Sequence, residues 1–248
     1  MASVEKFEPP TYAHRIAESY DELYPPPPKT HPMIETLARL AGGGPVLELG
    51  IGTGRIALPL ASNGLTVHGI ETSEEMIEKL RAKPGGESIS VTIGDFANVD
   101  VPGRYSLIYV VFNTFFALTS QEEQVRCFAN CASHLDAGGA FLIEAFCPDP
   151  TRYNHGQEVS AIQVNANSVS LVVTLHDPVR QALIAQQLHI TTSGLKMYPA
   201  HLRYAYPSEL DLMARLAGLR LHSRSGGWQD EPYVAASNGH VSIYKRLT

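Results

Sequence analysis

Three glycines at alternate positions follow an acidic residue at the end of a short apolar run. The run is Val46–Leu49, and its acidic residue is Glu48. The glycines are Gly50, Gly52 and Gly54. Because a segment compatible with a helix begins at Arg55, the pattern predicts a strand, a tight loop and a helix N-terminus in succession. Such a junction presents unpaired backbone amides and the positive end of a helix dipole, so we expect a ligand-binding pocket there.

The spacing of the glycines separates this loop from two common nucleotide-binding patterns. A dinucleotide-binding loop reads Gly-x-Gly-x-x-Gly, whereas Gly54 comes one residue early and Arg55 stands at the third-glycine position. The terminal Gly-Lys-Ser/Thr of a phosphate-binding loop is also missing. The stretch instead resembles the first motif, acid-x-Gly-x-Gly-x-Gly, of class I S-adenosylmethionine-dependent methyltransferases. A structural glycine turn without a ligand is the alternative.

Further acidic residues follow the next two predicted strands. Glu71 ends the strand that starts at Leu65, and Asp95 with Phe96 follows the strand Ile89–Ile93. The carboxyl ends of parallel strands meet at one edge of an open α/β sheet, where ligands bind. A carboxylate there can accept two hydrogen bonds from ribose hydroxyls, although a nicotinamide cofactor would use it equally well. The alternative for Glu71 is a surface acid that precedes a helix, and the alternative for Asp95 and Phe96 is a surface turn.

The resemblance implies a role for each of these positions. Glu48 would face the methionine amino group, and the glycines would approach the amino acid portion and the ribose. Glu71 would hold the ribose, and Asp95 with Phe96 would contact the adenine. The predicted cofactor-binding residues are Tyr20, Glu48, Gly50, Gly52, Gly54, Glu71, Thr72, Met76, Asp95, Phe96 and Val111. The cofactor implied is S-adenosylmethionine, with S-adenosylhomocysteine as product, and no metal is expected.

Candidate residues for the acceptor side are more scattered. Ser19–Tyr24 resembles a Tyr-Asp-x-x-Tyr segment that helps to cover the cofactor in many small-molecule methyltransferases, so Tyr20 is a catalytic candidate. Asn113 follows the predicted strand Tyr105–Val111 and can hydrogen-bond but cannot serve as a base. His201 is a third catalytic candidate, although a lone histidine is more often structural. The predicted substrate-pocket residues are Tyr24, Phe115, Glu144, Arg203 and Trp228, with packing or structural pairing as the alternative.

Strand and helix patterns alternate along most of the chain, which favours an α/β fold. We expect a seven-stranded, mostly parallel Rossmann-like sheet with helices on both faces. Residues 147–206 depart from this alternation and predict an antiparallel β lid inserted between strands five and six, with a dimer surface as the alternative. The predicted divisions are an N-terminal arm or lid helix (1–30), the S-adenosylmethionine-binding core (31–146), the insertion (147–206) and the C-terminal part of the core sheet (207–248).

Local signals predict the boundaries of several elements. Ala13–Tyr24 carries apolar and aromatic residues at helical spacing, so we expect a short amphipathic helix packed on the body. Pro32 fits the first position of a helix. Thr72 and Glu75 form a capping-box pattern for another helix. The fifth strand is expected to begin at Ala140, after a Gly-Gly break.

Composition argues against several classes of function. The 248 residues carry a net charge of −6 and no basic run, which argues against nucleic acid as the main partner. No apolar run is long enough to span a membrane, and the first six residues lack a signal-peptide pattern, so we expect a cytoplasmic protein without membrane partners. The three cysteines do not indicate a disulfide framework. A monomer or homodimer is expected.

These features predict a methyltransferase of small-molecule biosynthesis that acts on a natural product or a sugar-like acceptor. Transfer would proceed by in-line displacement at the methyl carbon, for which alignment of the acceptor is the main requirement. One alternative is a family member that binds S-adenosylmethionine but performs non-methylating chemistry or binds a partner. A less favoured alternative is an NAD-dependent oxidoreductase, which the glycine spacing disfavours.

Overall fold

The computed structural model describes residues 11–98 and 100–246, which form two β-sheets flanked by helices. The strands are β1 (Val46–Leu49), β2 (Val67–Glu71), β3 (Ser90–Ile93), β4 (Tyr105–Val110), β5 (Leu135–Phe146), β6 (Gln157–Val164), β7 (Ser168–Asp177), β8 (Ala182–Thr191), β9 (Gly194–Arg203), β10 (Leu219–Ser225) and β11 (Gly239–Arg246). The α-helices are α1 (Thr11–Ile16), α2 (Tyr20–Leu23), α3 (Pro32–Ala41), α4 (Ala57–Ser62), α5 (Glu74–Arg81), α6 (Gln121–His134) and α7 (Pro207–Leu216).

The larger sheet has seven strands in the order β10-β11-β5-β4-β1-β2-β3. Strands β1 to β5 pair in parallel, whereas β11 is antiparallel to both β5 and β10. This confirms the predicted mostly parallel sheet. The strand order reverses at β1, which pairs with β2 on one side and β4 on the other. The crevice at the carboxyl ends of these strands is where open α/β sheets bind ligands.

Helices cover both faces of this sheet, as predicted. Neighbouring residues of β4 point to opposite faces, and both Ile108 and Tyr109 are fully buried. Ile108 packs in a cluster that includes Phe128 of α6, and Tyr109 packs in a second cluster that includes Leu37 of α3. A central strand that is buried on both faces explains why its sequence is almost wholly apolar.

The smaller sheet contains β6, β7, β8 and β9, each antiparallel to its neighbour. In chain order it lies between β5 and β10, the fifth and sixth strands of the larger sheet, so the predicted antiparallel insertion is confirmed. A buried ion pair joins the end of this sheet to the core. Arg203 Nη2 lies 2.7 Å from Glu209 Oε1 of α7, and Arg203 Nη1 donates to Gln124 Oε1 of α6 at 2.6 Å.

Two predicted boundaries are wrong, and each has a physical reason. Ser73, not Thr72, caps α5, because Ser73 Oγ accepts from the Met76 amide, whereas the Thr72 hydroxyl is directed to the carboxylate of Glu71. Strand β5 begins at Leu135, five residues before Ala140, because Leu135 already pairs with β4. The predicted start of α3 is confirmed, with Pro32 at its first position.

The predicted arm helix is divided into α1 and α2, and it packs on the body as expected. Ile16 is fully buried in a cluster with Ala17, Met76 of α5 and Tyr198 of β9. The prediction for residues 1–10 of the arm lies outside the described residues. Over the part of the chain that the structure covers, no helix has the length and apolarity to cross a bilayer.

Candidate active site

The carboxylate of Glu71 gathers backbone amides from both sides of the crevice. Its Oε2 accepts from the Gly52 amide at 2.9 Å, and its Oε1 accepts from the amides of Thr72 and Ser73 at 2.9 and 3.0 Å. The buried side chain therefore ties the glycine loop to the start of α5. Because each carboxylate oxygen has about two acceptor positions, Oε2 keeps one position for a ligand.

The glycine loop leaves room for a ligand next to this carboxylate. Gly52 lies at φ 55°, where a side chain is unfavourable, and a Cβ built there would meet no atom within 4 Å. Phe96 borders the same loop, because a Cβ on Gly50 would lie 3.9 Å from Phe96 Cε1. The open space therefore lies over the α-carbon of Gly52, beside the Glu71 carboxylate and at a loop that Phe96 borders, so a polar, planar ligand can approach the backbone closely there.

Glu48 is buried at the end of β1, directly before the loop. The hydroxyl of Tyr109 donates to its Oε2 at 2.8 Å. Burial raises the pKa of Glu48 to about 8, although the Tyr109 hydrogen bond and the charge of Arg55 act in the opposite direction. A second cation at this carboxyl group would favour its charged form. This chemistry suits the predicted methionine amino group, whose contact with Glu48 stays a prediction.

Three aromatic rings and one guanidinium lie together beside the loop, those of Tyr20, Tyr24, Phe112 and Arg55. We call these four side chains the aromatic group. The ring centroids of Tyr20 and Tyr24 lie 5.2 Å apart, and those of Tyr24 and Phe112 lie 5.0 Å apart. Arg55 Cζ lies 4.6 Å from the centre of the Phe112 ring, a cation–π contact. Sequence reasoning missed Phe112 and Arg55. The available signal was their position, directly after β4 and directly after the last glycine.

The phenol of Tyr20 stays protonated near neutral pH. Burial raises its pKa to about 12, and the charges of Glu48 and Glu71 raise it further, whereas Arg55 lowers it. These electrostatic partners place Tyr20 at the glycine loop. It can therefore donate a hydrogen bond there, but it is poorly suited to accept a proton.

The chain turns sharply after β4 through two residues with positive φ. Phe112 lies at φ 59° and Asn113 at φ 63°, a conformation that is unfavourable for a bulky side chain. Two hydrogen bonds hold this turn against β5: the Phe112 amide donates to Glu144 Oε2 at 2.6 Å, and the Phe146 amide donates to Asn113 Oδ1 at 2.7 Å. The turn places Phe112 in the aromatic group.

A cavity of about 270 Å³ lies at the same edge of the sheet, beyond Asn113. It is bounded by the ends of β5 and β11 and by the loop that joins β10 to β11. Three of the predicted acceptor-side residues, Asn113, Glu144 and Trp228, line it together. His240 of β11 also lines this cavity and was not predicted.

Asp21 of α2 holds the arm over the glycine loop. Its Oδ1 accepts from the hydroxyl of Thr53 at 2.6 Å, and its Oδ2 lies 2.6 Å from Lys83 Nζ. Lys83 Nζ also donates to the backbone carbonyl of Thr53 at 2.7 Å. We call these three residues the latch. Sequence reasoning singled out the motif that contains Asp21 but missed its partners Thr53 and Lys83, which are far from it in the chain.

The other predicted cofactor residues lie around this loop in different states of exposure. Phe96, Met76 and Val111 are buried, whereas Thr72 and Asp95 are exposed. Asp95 Oδ1 accepts from the Ala97 amide at 2.8 Å, which fixes the turn after β3. The other carboxylate oxygen of Asp95, Oδ2, is then positioned at the same edge of the sheet as Glu71.

Three predicted acceptor-side residues lie away from this group. Phe115 is fully buried against Phe128 in the core, and the guanidinium of Arg203 is bonded to Glu209 and Gln124. His201 is exposed on β9, where its backbone pairs with Ile184, and its side chain has no hydrogen bond or ion pair among residues 11–98 and 100–246. Their functional roles stay predictions, and the contacts of Phe115 and Arg203 favour structural roles.

Comparison with known proteins gives consistent similarities. Residues 46–139 match a family model described as a methyltransferase domain. The chain is 27% identical over 207 residues to the cypemycin N-terminal methyltransferase of a Streptomyces species, across 82% of this chain and 84% of that protein.

Two solved structures are also similar. The CcbJ methyltransferase from Streptomyces caelestis is 39% identical and superposes with a TM-score of 0.89, over 96% of this chain and 98% of that chain. S-adenosylmethionine-bound CalS10, an amino pentose methyltransferase from Micromonospora echinaspora, superposes with a TM-score of 0.64 at 18% identity, over 95% and 90% of the two chains. At 18% identity, the similarity to CalS10 shows a shared fold and no more.

Proposed function

This chain belongs to the class I S-adenosylmethionine-dependent methyltransferases, and we propose that it methylates an amine nitrogen of a small-molecule acceptor. The observation that carries the proposal is the crevice at the glycine loop, where Glu71 and the open space over Gly52 adjoin the aromatic group. A peptide N-terminus is the second candidate acceptor, because one similar protein is the cypemycin N-terminal methyltransferase.

The residues of the crevice fit S-adenosylmethionine. The space that a Cβ on Gly52 would fill lies next to a carboxylate that keeps acceptor capacity, as a ribose requires. We propose that Glu71 accepts from the ribose hydroxyls, that Asp95 and Phe96 contact the adenine, and that Glu48 faces the amino group. When bound, the cofactor supplies a methyl group already activated by a sulfonium.

The chain's own residues then have to align the acceptor and exclude water. The arm, held by the latch, lies over the glycine loop, and the rings of Tyr20, Tyr24 and Phe112 form an apolar wall beside it. Aromatic faces stabilise cationic groups, and because Arg55 already lies over the Phe112 ring, the rings of Tyr20 and Tyr24 are the ones proposed for the ligand. An amine acceptor becomes cationic when it is methylated, so this wall favours nitrogen over a neutral oxygen product.

No strong general base lies in the aromatic group. Tyr20 keeps its proton, and Asn113 can only hydrogen-bond. An amine that enters in its neutral form needs no base at the moment of transfer, whereas an alcohol does. We propose that Tyr20 and Asn113 orient the acceptor through hydrogen bonds and that the amine loses its proton to solvent before transfer.

We also propose that the insertion, residues 147–206, acts as a lid on the acceptor side. Two hydrogen bonds join it to the arm: Lys196 Nζ donates to Ser19 Oγ at 3.0 Å, and Tyr24 donates to Gln187 Oε1 at 2.9 Å. Arm and insertion therefore meet beside the aromatic group. Three further points stay predictions: transfer needs no metal, the protein works in the cytoplasm, and it is a monomer or homodimer.

A matched acceptor panel tests the choice of atom. The purified protein is incubated with S-adenosylmethionine and an amino sugar, its N-acetylated form, a dipeptide amide with a free N-terminus, or a phenol. Mass spectrometry then detects the methylated product. We expect methylation of the free amines and none of the N-acetylated sugar. Faster methylation of the phenol than of every amine would contradict the proposal.

A further inference from the structure

Two buried nitrogen atoms in the cavity beyond Asn113 have no hydrogen-bond partner in the part of the chain described. They are Nε1 of Trp228 and Nε2 of His240, and both residues line that cavity. His240 is almost completely buried. A buried polar group without a partner destabilises the folded protein, because it has lost its hydrogen bonds to water. Two such groups at one cavity point to a ligand that completes their hydrogen bonds.

The neighbours of His240 determine which of its ring nitrogens carries the proton. Arg224 Nε donates to Ser242 Oγ at 2.8 Å, and the same hydroxyl lies 2.8 Å from His240 Nδ1. A guanidinium cannot accept a hydrogen bond, and Ser242 has no other acceptor among the described residues. The Ser242 hydroxyl therefore donates to Nδ1, which leaves the proton of the ring on Nε2.

His240 is neutral near pH 7, so this tautomer is the relevant one. Burial and, less strongly, the charge of Arg224 together lower the pKa of His240 to about 4, against the opposite effect of Asp211. Two residues that line the cavity thus carry N–H groups without a partner among the described residues, one from an indole and one from a neutral imidazole.

Glu144 supplies the complementary acceptor. Its Oε2 accepts from the Phe112 amide, and the half-buried carboxylate lines the same cavity as both donors. A carboxylate ligand would be repelled by Glu144, and an apolar ligand would leave the N–H groups unpaired. A hydroxyl group accepts one hydrogen bond and donates another, so it satisfies both kinds of partner.

The cavity adjoins the place where the acceptor must lie. Phe112 belongs to the aromatic group beside the glycine loop, and the next residue, Asn113, lines the cavity. Its volume of about 270 Å³ is near the lower end of ligand pockets, about 300 Å³, which suits one ring of a larger molecule.

We propose that Trp228, His240 and Glu144 form a subsite for a hydroxyl-bearing, sugar-like ring of the methyl acceptor. Ring hydroxyls accept from the Trp228 and His240 N–H groups and donate to the Glu144 carboxylate. This inference rests on the proposed function, because it assigns the acceptor of the same reaction. It also gives Trp228 and Glu144 specific partners on the substrate.

Tryptophan fluorescence tests the subsite directly, because Trp228 is the only tryptophan in the chain. The protein, saturated with S-adenosylhomocysteine, is titrated with methyl glycosides of the gluco, galacto and manno configurations. Tetrahydropyran, a ring of the same size without hydroxyls, and glycylglycinamide, a short peptide, are matched titrants. We expect a saturable spectral change with at least one glycoside and none with tetrahydropyran.

Two variants separate the subsite from general effects on folding. Glu144→Gln keeps an oxygen for the Phe112 amide but removes the charge, and His240→Phe removes the N–H donor. We expect each to weaken glycoside binding by about fivefold or more, since a hydrogen bond to a charged or buried group contributes about 1–3 kcal/mol. Urea unfolding checks that each variant folds. If His240→Phe does not fold, the loss of glycoside binding in Glu144→Gln still tests the subsite.

The outcomes distinguish this inference from the proposed function. Binding of S-adenosylhomocysteine is measured by calorimetry on the same preparation. Cofactor binding without any saturable response to the glycosides overturns the subsite and leaves the methyltransferase proposal intact. An equal response to tetrahydropyran, or a response to the peptide alone, also overturns it. Failure of the protein to bind the cofactor product contradicts both.

Discussion

At the residue scale, the contact between Gly52 and Glu71 controls how a ligand approaches the glycine loop. The Gly52 amide is directed to the carboxylate, and its α-carbon faces open space. The open space requires glycine, because a side chain would strain the backbone at φ 55° and fill that space. The sequence pattern predicts the loop and the acid, and the structure adds the hydrogen bond that joins them.

Gly52→Ala is expected to weaken binding of S-adenosylhomocysteine by about tenfold or more, since about 1.4 kcal/mol corresponds to a factor of ten. Gly64→Ala is the matched control, because Gly64 also has a positive φ and open space around its α-carbon but lies in the loop before β2. Both variants should lose similar stability, about 1 kcal/mol. Calorimetry and urea unfolding measure the two effects. Equal affinity of both variants would show that the space over Gly52 is not used.

Glu48 should make the ligand-free protein less stable as pH rises. Its pKa is raised in the folded state to about 8, so the folded state holds a proton that the unfolded state has already lost. The unfolding free energy therefore falls between the unfolded pKa and about pH 8, by up to about 1.4 kcal/mol per pH unit. In Glu48→Gln this loss is absent.

Urea unfolding at about pH 5 and about pH 9 measures this effect. The stability of Glu48→Gln relative to the wild type should increase from the lower to the higher pH. The exposed acid Glu122 provides a control, because Glu122→Gln should show no such trend. Parallel pH dependence of Glu48→Gln and the wild type would mean that the buried carboxyl group is not protonated.

At the element scale, α2 is held to the glycine loop by the latch. Asp21→Asn removes the charge that faces Lys83 and weakens the bond to Thr53, so the arm should open more often. We expect about threefold to tenfold weaker binding of S-adenosylhomocysteine, since hydrogen bonds to charged groups contribute about 1.5–3 kcal/mol and part of this charge is solvent-screened.

Glu22→Gln, an exposed neighbour on the same helix, is the control for the latch and should bind normally. Limited proteolysis provides a second measurement, because an opened arm is cleaved faster at Arg15 or Lys29. Unchanged affinity together with unchanged cleavage in Asp21→Asn would show that the latch does not hold the arm.

The link between the insertion and the core depends on Arg203. Its guanidinium is buried between Glu209 and Gln124, so Arg203→Met removes the cation beside the Glu209 carboxylate. That carboxylate keeps the amide donors of Gln121 and Gln181. We expect a loss of about 1.5–3 kcal/mol in the free energy of unfolding, the contribution of hydrogen bonds to charged groups. Arg180→Met, which breaks an exposed pair with Asp177, should cost about 0–1 kcal/mol.

The same pair of variants tests the prediction that Arg203 contacts the substrate. With stability restored by working at low temperature, a structural role leaves the KM for the acceptor near its wild-type value. A large rise in KM without loss of stability would instead support substrate contact. Arg180→Met is the reference for both measurements.

At the scale of the whole molecule, local patterns predict the centre of the sheet well because β1, β2 and β4 are short, mostly apolar and followed by turn residues. The strand ends that bear Glu71 and Asp95 could also be predicted, since parallel strands bring their carboxyl ends to one edge. The early start of β5 could not, because Leu135 joins the sheet only through its pairing with β4.

Contacts between distant parts of the chain account for the rest of the site. The latch joins residues about thirty positions apart, and His240 reaches the cavity from the last strand. The strained turn at Phe112 and Asn113 runs against local backbone preference and is held by β5. Such features depend on tertiary structure, so no local pattern predicts them.

Calorimetric titration with S-adenosylhomocysteine shows whether the crevice at Glu71 holds the cofactor. The wild type should bind at a single site, and Glu71→Gln should bind about tenfold or more weakly, because a charged acceptor is lost. Glu74→Gln, an exposed acid at the start of α5, should bind like the wild type. No binding by the wild type, or equal affinity of Glu71→Gln and the wild type, would contradict the account.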